Sequence, residues 1–409
     1  MARPVAARPG SLPATQQNPI SNQTTVQISL HDSIDELPAA AWNALAGPAD
    51  PFLSHEFLGA LEHSGAIGAG TGWHPRHVAV HRGEDLVGVM PCYLKDHSFG
   101  EFVFDWSWAH AYARYGRNYY PKLVTAIPYV PVTGRRLLVK DQSADREVSA
   151  ALAQCVVAGC ARSGASSAHV LFTDEADSAF LRDAGWLLRS GYQYHWHNEG
   201  YRDFQDFLDS FVARYRKMVR QERRRVAAYG LRIEMLSGDN VTADQWWQFY
   251  RCYLATFDKK LNHAPLSAEF FMEIGRRMPE RVLLCLVSDR GSYVAGAIFF
   301  VGEHALYGRH WGSLQDYPDL HFEVCYYTPI EYCIEHAIRR FEAGAQGEFK
   351  VRRGFRPVAT HSAHWIAAED FRLAIDGFVM REGSEVAAYL EEMQGHLPFR
   401  AARLAETGR

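Results

Sequence analysis

No stretch of this chain is apolar over the roughly 18 residues that a membrane-crossing helix needs. It also lacks the glycine fingerprints G-x-G-x-x-G and G-x-x-x-x-G-K-[ST] and the G-x-S-x-G turn, so Rossmann, P-loop and serine acyl-enzyme readings have no motif to rest on. Cysteine is sparse. The seven residues (Cys92, Cys155, Cys160, Cys252, Cys285, Cys325, Cys333) form an odd set with no CxxC pair and sit mostly in apolar segments, which reads as reduced core thiols of a cytoplasmic protein. Positive charge is not in excess: the formal net charge of −4 argues against a general nucleic-acid binder while leaving local basic patches open. What is present is ordinary apolar content (47%), 22% charged residues and a generous 13% of aromatics, which fits aromatic-lined clefts. At 409 residues the chain exceeds one hydrophobic core, and two domains are expected.

Residues 1–24, rich in Pro, Ala, Arg, Gln and Asn without an apolar core, read as a disordered tail and not a signal peptide. Thr25–Leu30 alternates like an edge strand; helical spacing follows over Ile34–Ala46 and Ser54–Ser64. Arg76–His81 and Leu86–Leu94, separated by Arg-Gly-Glu-Asp, form a hairpin. An aromatic strand is expected over Phe102–Tyr112, a helix over Ala144–Ser163, and a strand pair over Trp186–Trp196. Phe204–Tyr229 reads as one long helix with a basic second half. The order then restarts: strand Leu231–Leu236, helices Ala243–Thr256 and Ser267–Met278, hairpin Arg281–Val301, aromatic strand Ala305–Ser313, helix His321–Phe341. Both halves close on His-Trp, at His195-Trp196 and His364-Trp365. A tandem repeat explains this economically. The expected fold is α/β with mostly antiparallel central sheets flanked by helices, divided as 25–200, a basic connecting helix 201–230, 231–385, and a C-terminal helix or tail 386–409.

The densest candidate site is residues 341–365, where glycines punctuate Glu348, Lys350, Arg352 and Arg353 between apolar segments. In the first half, Asp105 and Lys122 are costly to bury without a partner or a purpose and are taken as cleft residues beside Trp106, Trp108, Tyr119 and Tyr120. A turn of Thr133, Gly134, Arg135 and Arg136 before a helix has the makings of a phosphate cradle. The arginines of 214–225 are a solvated face or a dock for an anionic ligand or RNA backbone. Nineteen histidines raise a metal enzyme as a rival, but His361 and His364, at i and i+3 of a strand, face opposite sides, and no metal site is assigned.

The chain resembles the FemAB-like N-acyltransferases of bacteria, built from two tandem GNAT-type domains, over residues 50–385. The matching pieces include Pro51-Phe52-Leu53-Ser54-His55, Tyr119-Tyr120-Pro121-Lys122-Leu123, Pro131-Val132-Thr133-Gly134, Arg309-His310-Trp311-Gly312, Leu320-His321-Phe322-Glu323, Cys325-Tyr326-Tyr327 and Phe341 to Glu348. The resemblance implies two GNAT-like domains and transfer of an acyl group from an activated donor, acyl-CoA first and aminoacyl-tRNA as the alternative, to an amine acceptor such as a peptidoglycan precursor. Phe349-Lys350 looks like the aromatic-lysine pair of Fem-type transferases, and the 214–225 helix like their arginine-rich segment. The GNAT loop [RQ]xxGx[GA] is absent after Ala305–Ser313, which leaves the Thr133–Arg136 turn as the substitute for holding a CoA pyrophosphate.

Acyl transfer to an amine needs a neutral nucleophile, a polarised carbonyl and a protonated leaving group. The expected roles are Glu323 or His321 as base, Lys350 and backbone N–H groups near Arg309–Gly312 as oxyanion stabilisers, and Tyr326 or Tyr327 as acid, with Glu348 alongside. Substrate contacts are expected from Arg309, Trp311, Phe349 and Arg353. A non-catalytic binding module on the same scaffold is the remaining alternative.

Overall fold

The fold was analysed in a computed structural model that describes residues 26–259, 261–345 and 347–400. The tail expected over 1–24 lies outside them. The strands are β1 (Gln27–His31), β2 (Trp73–Pro75), β3 (His77–Arg82), β4 (Asp85–Met90), β5 (Cys92–Lys95), β6 (Lys122–Thr125), β7 (Leu138–Val139), β8 (Ser167–Thr173), β9 (Leu187–His197), β10 (Arg232–Ser237), β11 (Val282–Asp289), β12 (Ser292–Val301), β13 (Ala305–Ser313), β14 (Arg340–Glu342) and β15 (Arg356–Ile366). Eleven form one sheet in the order β10-β11-β12-β13-β14-β9-β15-β8-β6-β5-β2, and β1-β3-β4-β7 form a second.

The repeat is visible in the pairing. In each half antiparallel strands lead to one parallel pair, β6 with β8 and β13 with β14, joined by a helical crossover. At the centre β9 and β15 pair antiparallel, Leu187 opposite His364 and His195 opposite Arg356, symmetrically about Gly191 and Thr360. Each half's last strand has crossed over: β9 pairs with β14, and β15 pairs with β8. His195-Trp196 and His364-Trp365 therefore occupy equivalent places, and the central sheet runs unbroken through both halves. The halves differ where Pro91 follows β4. Proline has no N–H to donate, and the chain there leaves the four-stranded sheet to start β5 in the long one.

Packing also ties the halves together. The helix His55–His63, started by Ser54 accepting from Phe57 N, packs on the helix Ala268–Arg277. Phe57 meets Phe270 at 5.6 Å, and Phe52 meets Phe300 of β12 at 4.8 Å between ring centroids. Phe52 and Phe300 are fully buried or nearly so, and an aromatic core spans residues distant in sequence.

Three sequence expectations are corrected. Phe102–Tyr112 is not a strand: residues 102–105 are a loop, followed by a helix Trp106–Arg114. Its buried pair Trp108 and Tyr112 lies at i and i+4, so the helical period outweighed the aromatic run. The long basic helix is two helices, Phe204–Asp209 and Ala213–Ala228, broken where Phe211 pairs with Phe399. The helix expected over 321–341 passes from Leu320–Phe322 through a π-turn, Glu323–Tyr327, into Thr328–Glu335, and the chain is back in a strand by Arg340. Beyond these, the C-terminal helix Glu369–Gln394 runs straight through the boundary expected at 385.

Candidate active site

The second half opens where its parallel pair parts. β13 and β14 are in register only from Ala305 to Tyr307 against Arg340 to Glu342. Just beyond, β13 carries a bulge: Ile298 faces His310 and Phe299 faces Gly308, which leaves Arg309 as the extra residue. Gly312, further along, has no room for a side chain, because a Cβ would lie 1.7 Å from the carbonyl oxygen of Cys252 in the helix Ala243–Asp258. Helix and strand thereby hold the bulge in place.

Lys350 sits at this opening, 1% exposed, on the short 3-10 turn Glu348–Arg353. Its Nζ donates to Gly344 O at 2.5 Å, and no carboxylate pairs with it among the described residues. Burial, with the Arg309 charge added, pushes its pKa down to about 7. Around it stand His321, Tyr326, Phe349 and Trp311, with the His321 ring 5.3 Å from Tyr326, 5.6 Å from Trp311 and 6.4 Å from Phe349. Burial, then Lys350 and Arg353, push His321 down to about 4, so its imidazole is neutral at physiological pH. The Arg353 guanidinium lies 3.5 Å from the Phe322 ring centroid and donates to Glu222 and Tyr327 Oη, which fixes the turn that carries Phe349 and Lys350.

Behind the opening lies a buried charge cluster that the sequence reading did not identify. Glu342 is within 2.9 Å of Arg340 and 3.7 Å of His195, with neither oxygen in good hydrogen-bond alignment. Burial pushes Glu342 up to about 7, Asp50 up to about 6 and Arg309 down to about 10. Asp50 and His195 come from the other half of the chain from Arg309, Arg340 and Glu342, so no local pattern announces the cluster.

A cleft of about 490 Å³ adjoins Ala345, Gly347 and Glu348 at the centre of the long sheet. Both halves line it, through Phe102, Phe172, Tyr192, Tyr194, Glu348 and Thr360 among others. Tyr389, on the C-terminal helix, donates to Glu348 at 2.9 Å and meets Tyr194 Oη at 2.6 Å. Arg189 forms a paired contact with Glu382, 2.7 Å at both oxygens.

The structure brings His321, Tyr326, Phe349, Lys350, Arg309, Trp311 and Arg353 together and sets Glu348 at the neighbouring cleft. It separates the others. Glu323 is gripped by Arg223 at 2.8 Å and lines a cavity along the helix Ala213–Ala228, and Tyr327 reaches the group only through Arg353, which with Glu222 holds its hydroxyl. Asp105 and Lys122, read as cleft residues, are buried with Glu101 in an ion cluster, where Tyr119 donates to Asp105 at 2.6 Å. Trp108 is buried, Trp106 meets Phe99 edge-on at 4.9 Å between ring centroids, and Tyr120 meets Ser98 at 2.9 Å.

The Thr133–Arg136 turn is no open cradle. Gly134 bridges to Thr173, Arg135 donates to Leu45 O, and Arg136, fully buried, donates to Leu171 O and takes the Asp177 carboxylate on its backbone N–H. This turn therefore fills the first half's counterpart of the β13/β14 opening.

The sheet order, the crossed terminal strands and the two parallel pairs define a tandem GNAT-type fold. The FemX crystal structure matches it with a TM-score of 0.51 at 14% identity, covering 86% of this chain and 100% of that one. L-PGS from Bacillus licheniformis matches at 0.50 and 11%, covering 82% and 97%. A tandem GNAT protein from the clavulanic acid biosynthesis pathway matches at 0.46 and 12%, covering 84% and 99%. The chain belongs to the FemAB-like family, described as peptidoglycan biosynthesis/recognition, whose model matches residues 33–401. No curated protein matches it.

Proposed function

We propose that this protein transfers an acyl group from an activated donor to an amine acceptor, with the β13/β14 opening as the reacting centre. The observation that carries the reading is Lys350: a buried lysine with no carboxylate partner among the described residues, at the point where a parallel strand pair parts beside a bulge. A protonated Lys350 would stabilise the negative charge that develops on the carbonyl oxygen as the amine attacks. Neutral His321, beside Tyr326 and Trp311, would accept the proton that the amine loses. Tyr326, whose hydroxyl burial keeps protonated, would return a proton to the leaving group. The aromatic walls exclude water, which would otherwise compete as acceptor.

An acyl-CoA thioester is the first donor to test. A second reading has its own observation. A cavity of about 890 Å³ runs along the helix Ala213–Ala228, rimmed by Arg216, Lys217, Arg220 and Arg224 over a floor that includes Phe204 and Ile233, which fits the phosphates of an aminoacyl-tRNA donor. Thermal shift of the purified protein against acyl-CoAs of increasing chain length and against charged tRNA separates the two, since a ligand at 100 times its Kd adds roughly 2.7 kcal/mol of stability. Stabilisation by one donor class names it. No stabilisation by either would refute both donor readings.

A further inference from the structure

The helix Ala213–Ala228 carries seven arginines and lysines and a single acid, Glu222. On a surface helix such an acid would pair with a cation one turn away, and Arg225 stands at the right spacing. Arg225 is engaged by Asp319 instead, and Glu222 turns inward, its side chain 12% exposed. Its Oε1 accepts from Arg353 Nη2 at 2.7 Å, while Oε2 accepts from Arg353 Nε at 3.3 Å and from the Tyr327 hydroxyl. A forked ion pair with a third donor on the same carboxylate, away from water, fixes geometry as well as charge.

The two partners belong to different parts of the site. Tyr327 ends the π-turn Glu323–Tyr327, which follows His321 and carries Tyr326. Arg353 ends the 3-10 turn that carries Phe349 and Lys350, and it reaches back along that turn. Its Nη1 donates to Phe349 O at 2.9 Å, one peptide bond ahead of Lys350, and its Nε also donates to Tyr327 Oη at 2.9 Å. Glu222 is therefore the joint between the turn bearing the oxyanion-stabilising cation and the turn bearing the proton donor. Groups that act on one reacting carbonyl must keep their separation to a fraction of an ångström, which a shared buried anchor secures. We propose that Glu222 is a positioning residue of the transfer reaction, holding the Lys350 turn through Arg353 and the Tyr326 turn through Tyr327. The assignment rests on the transferase reading for the roles of Lys350 and Tyr326.

Lys350 itself reports on the hold. Burial, ahead of the Arg309 charge, is what lowers its pKa to about 7, so a turn that loosens and admits water lets it rise. Lys95, buried in the other half with its ammonium 3.8 Å from the Trp73 ring centroid and also lowered to about 7, is the internal reference. Both are titrated by NMR in the full chain labelled with [ε-13C]lysine, for wild type, Glu222→Gln and Arg353→Lys, the last of which keeps the charge and loses the fork. The expected result is a Lys350 midpoint higher by about one pH unit or more in both variants, with Lys95 unmoved. With a donor that wild type uses, kcat should fall by about tenfold or more while KM stays within about threefold. The proposal fails if Lys350 titrates alike in all three chains. It fails if Lys95 moves with Lys350, because Glu222 then supports the whole fold and not the site, and it fails if Lys350 moves while kcat does not. A wild-type chain that acylates no amine would refute the transferase reading, and the two midpoints would still decide whether Glu222 holds the turn.

Discussion

Lys350→Met separates catalysis from stability in one variant. A buried lysine whose pKa falls from its ordinary 10.5 to about 7 costs the folded state whatever it takes to keep the ammonium there. Below pH 7 both folded and unfolded chains carry the proton, and the full cost is present. Between pH 7 and 10.5 the unfolded chain keeps the proton that the folded chain has lost, so wild-type stability from this group rises with pH. At about 1.4 kcal/mol per pH unit the upper bound is about 5 kcal/mol, and replacement of buried charges by apolar residues typically gains about 1–4 kcal/mol. Methionine fills similar volume without the charge. Lys350→Met should therefore be more stable than wild type in denaturant titrations at pH 7 by about 1–4 kcal/mol, the gap should narrow by pH 9, and turnover should fall by about a hundredfold or more. A variant no more stable at pH 7, or one that turns over within about twofold of wild type, would refute the reasoning.

Three further substitutions probe the frame. Lys122→Met leaves Glu101 and Asp105 buried without their cation and should cost about 3–5 kcal/mol in denaturant unfolding; a loss under about 1 kcal/mol would mean that the cluster does not hold its segment in place. Gly312→Ala drives a Cβ into the Cys252 carbonyl and should cost about 2 kcal/mol or more, with turnover falling as the bulge shifts; wild-type stability would show that the strand and helix can separate freely. Phe52→Ala empties a site shared with Phe300 and Tyr307 and should lower stability by about 3–5 kcal/mol in a single cooperative transition. Two separate transitions would show halves that unfold independently.

The sequence made the repeat legible because each strand carries its own pattern: β-branched runs, turn dipeptides and the twin His-Trp endings are local signals. The crossing of β9 and β15 into opposite halves was not legible, since pairing partners leave no mark in either strand alone. Phe349-Lys350, Arg309 and His321, which the structure brings together, could be singled out because glycines and charges crowd one short segment or because a resemblance pointed to them. Glu342, Asp50, Tyr389 and Glu382 were not singled out because each is unremarkable among its neighbours in sequence and gains its contacts only across the fold. Asp105 and Lys122 show the opposite error. Cost of burial correctly marked them as needing partners, but the partners proved to be each other and Glu101, behind the cleft wall instead of inside it.

Product formation tests the central claim most directly. Wild-type protein and Lys350→Met are incubated with an acyl-CoA series or charged tRNA and a panel of primary amines that includes peptidoglycan precursor peptides, and the acceptors are weighed by mass spectrometry. The account predicts an amine heavier by one acyl group with the wild-type chain and a yield reduced about a hundredfold or more with Lys350→Met. Acylation that Lys350→Met supports equally well, or a donor that binds tightly while no amine in the panel gains mass, would contradict it.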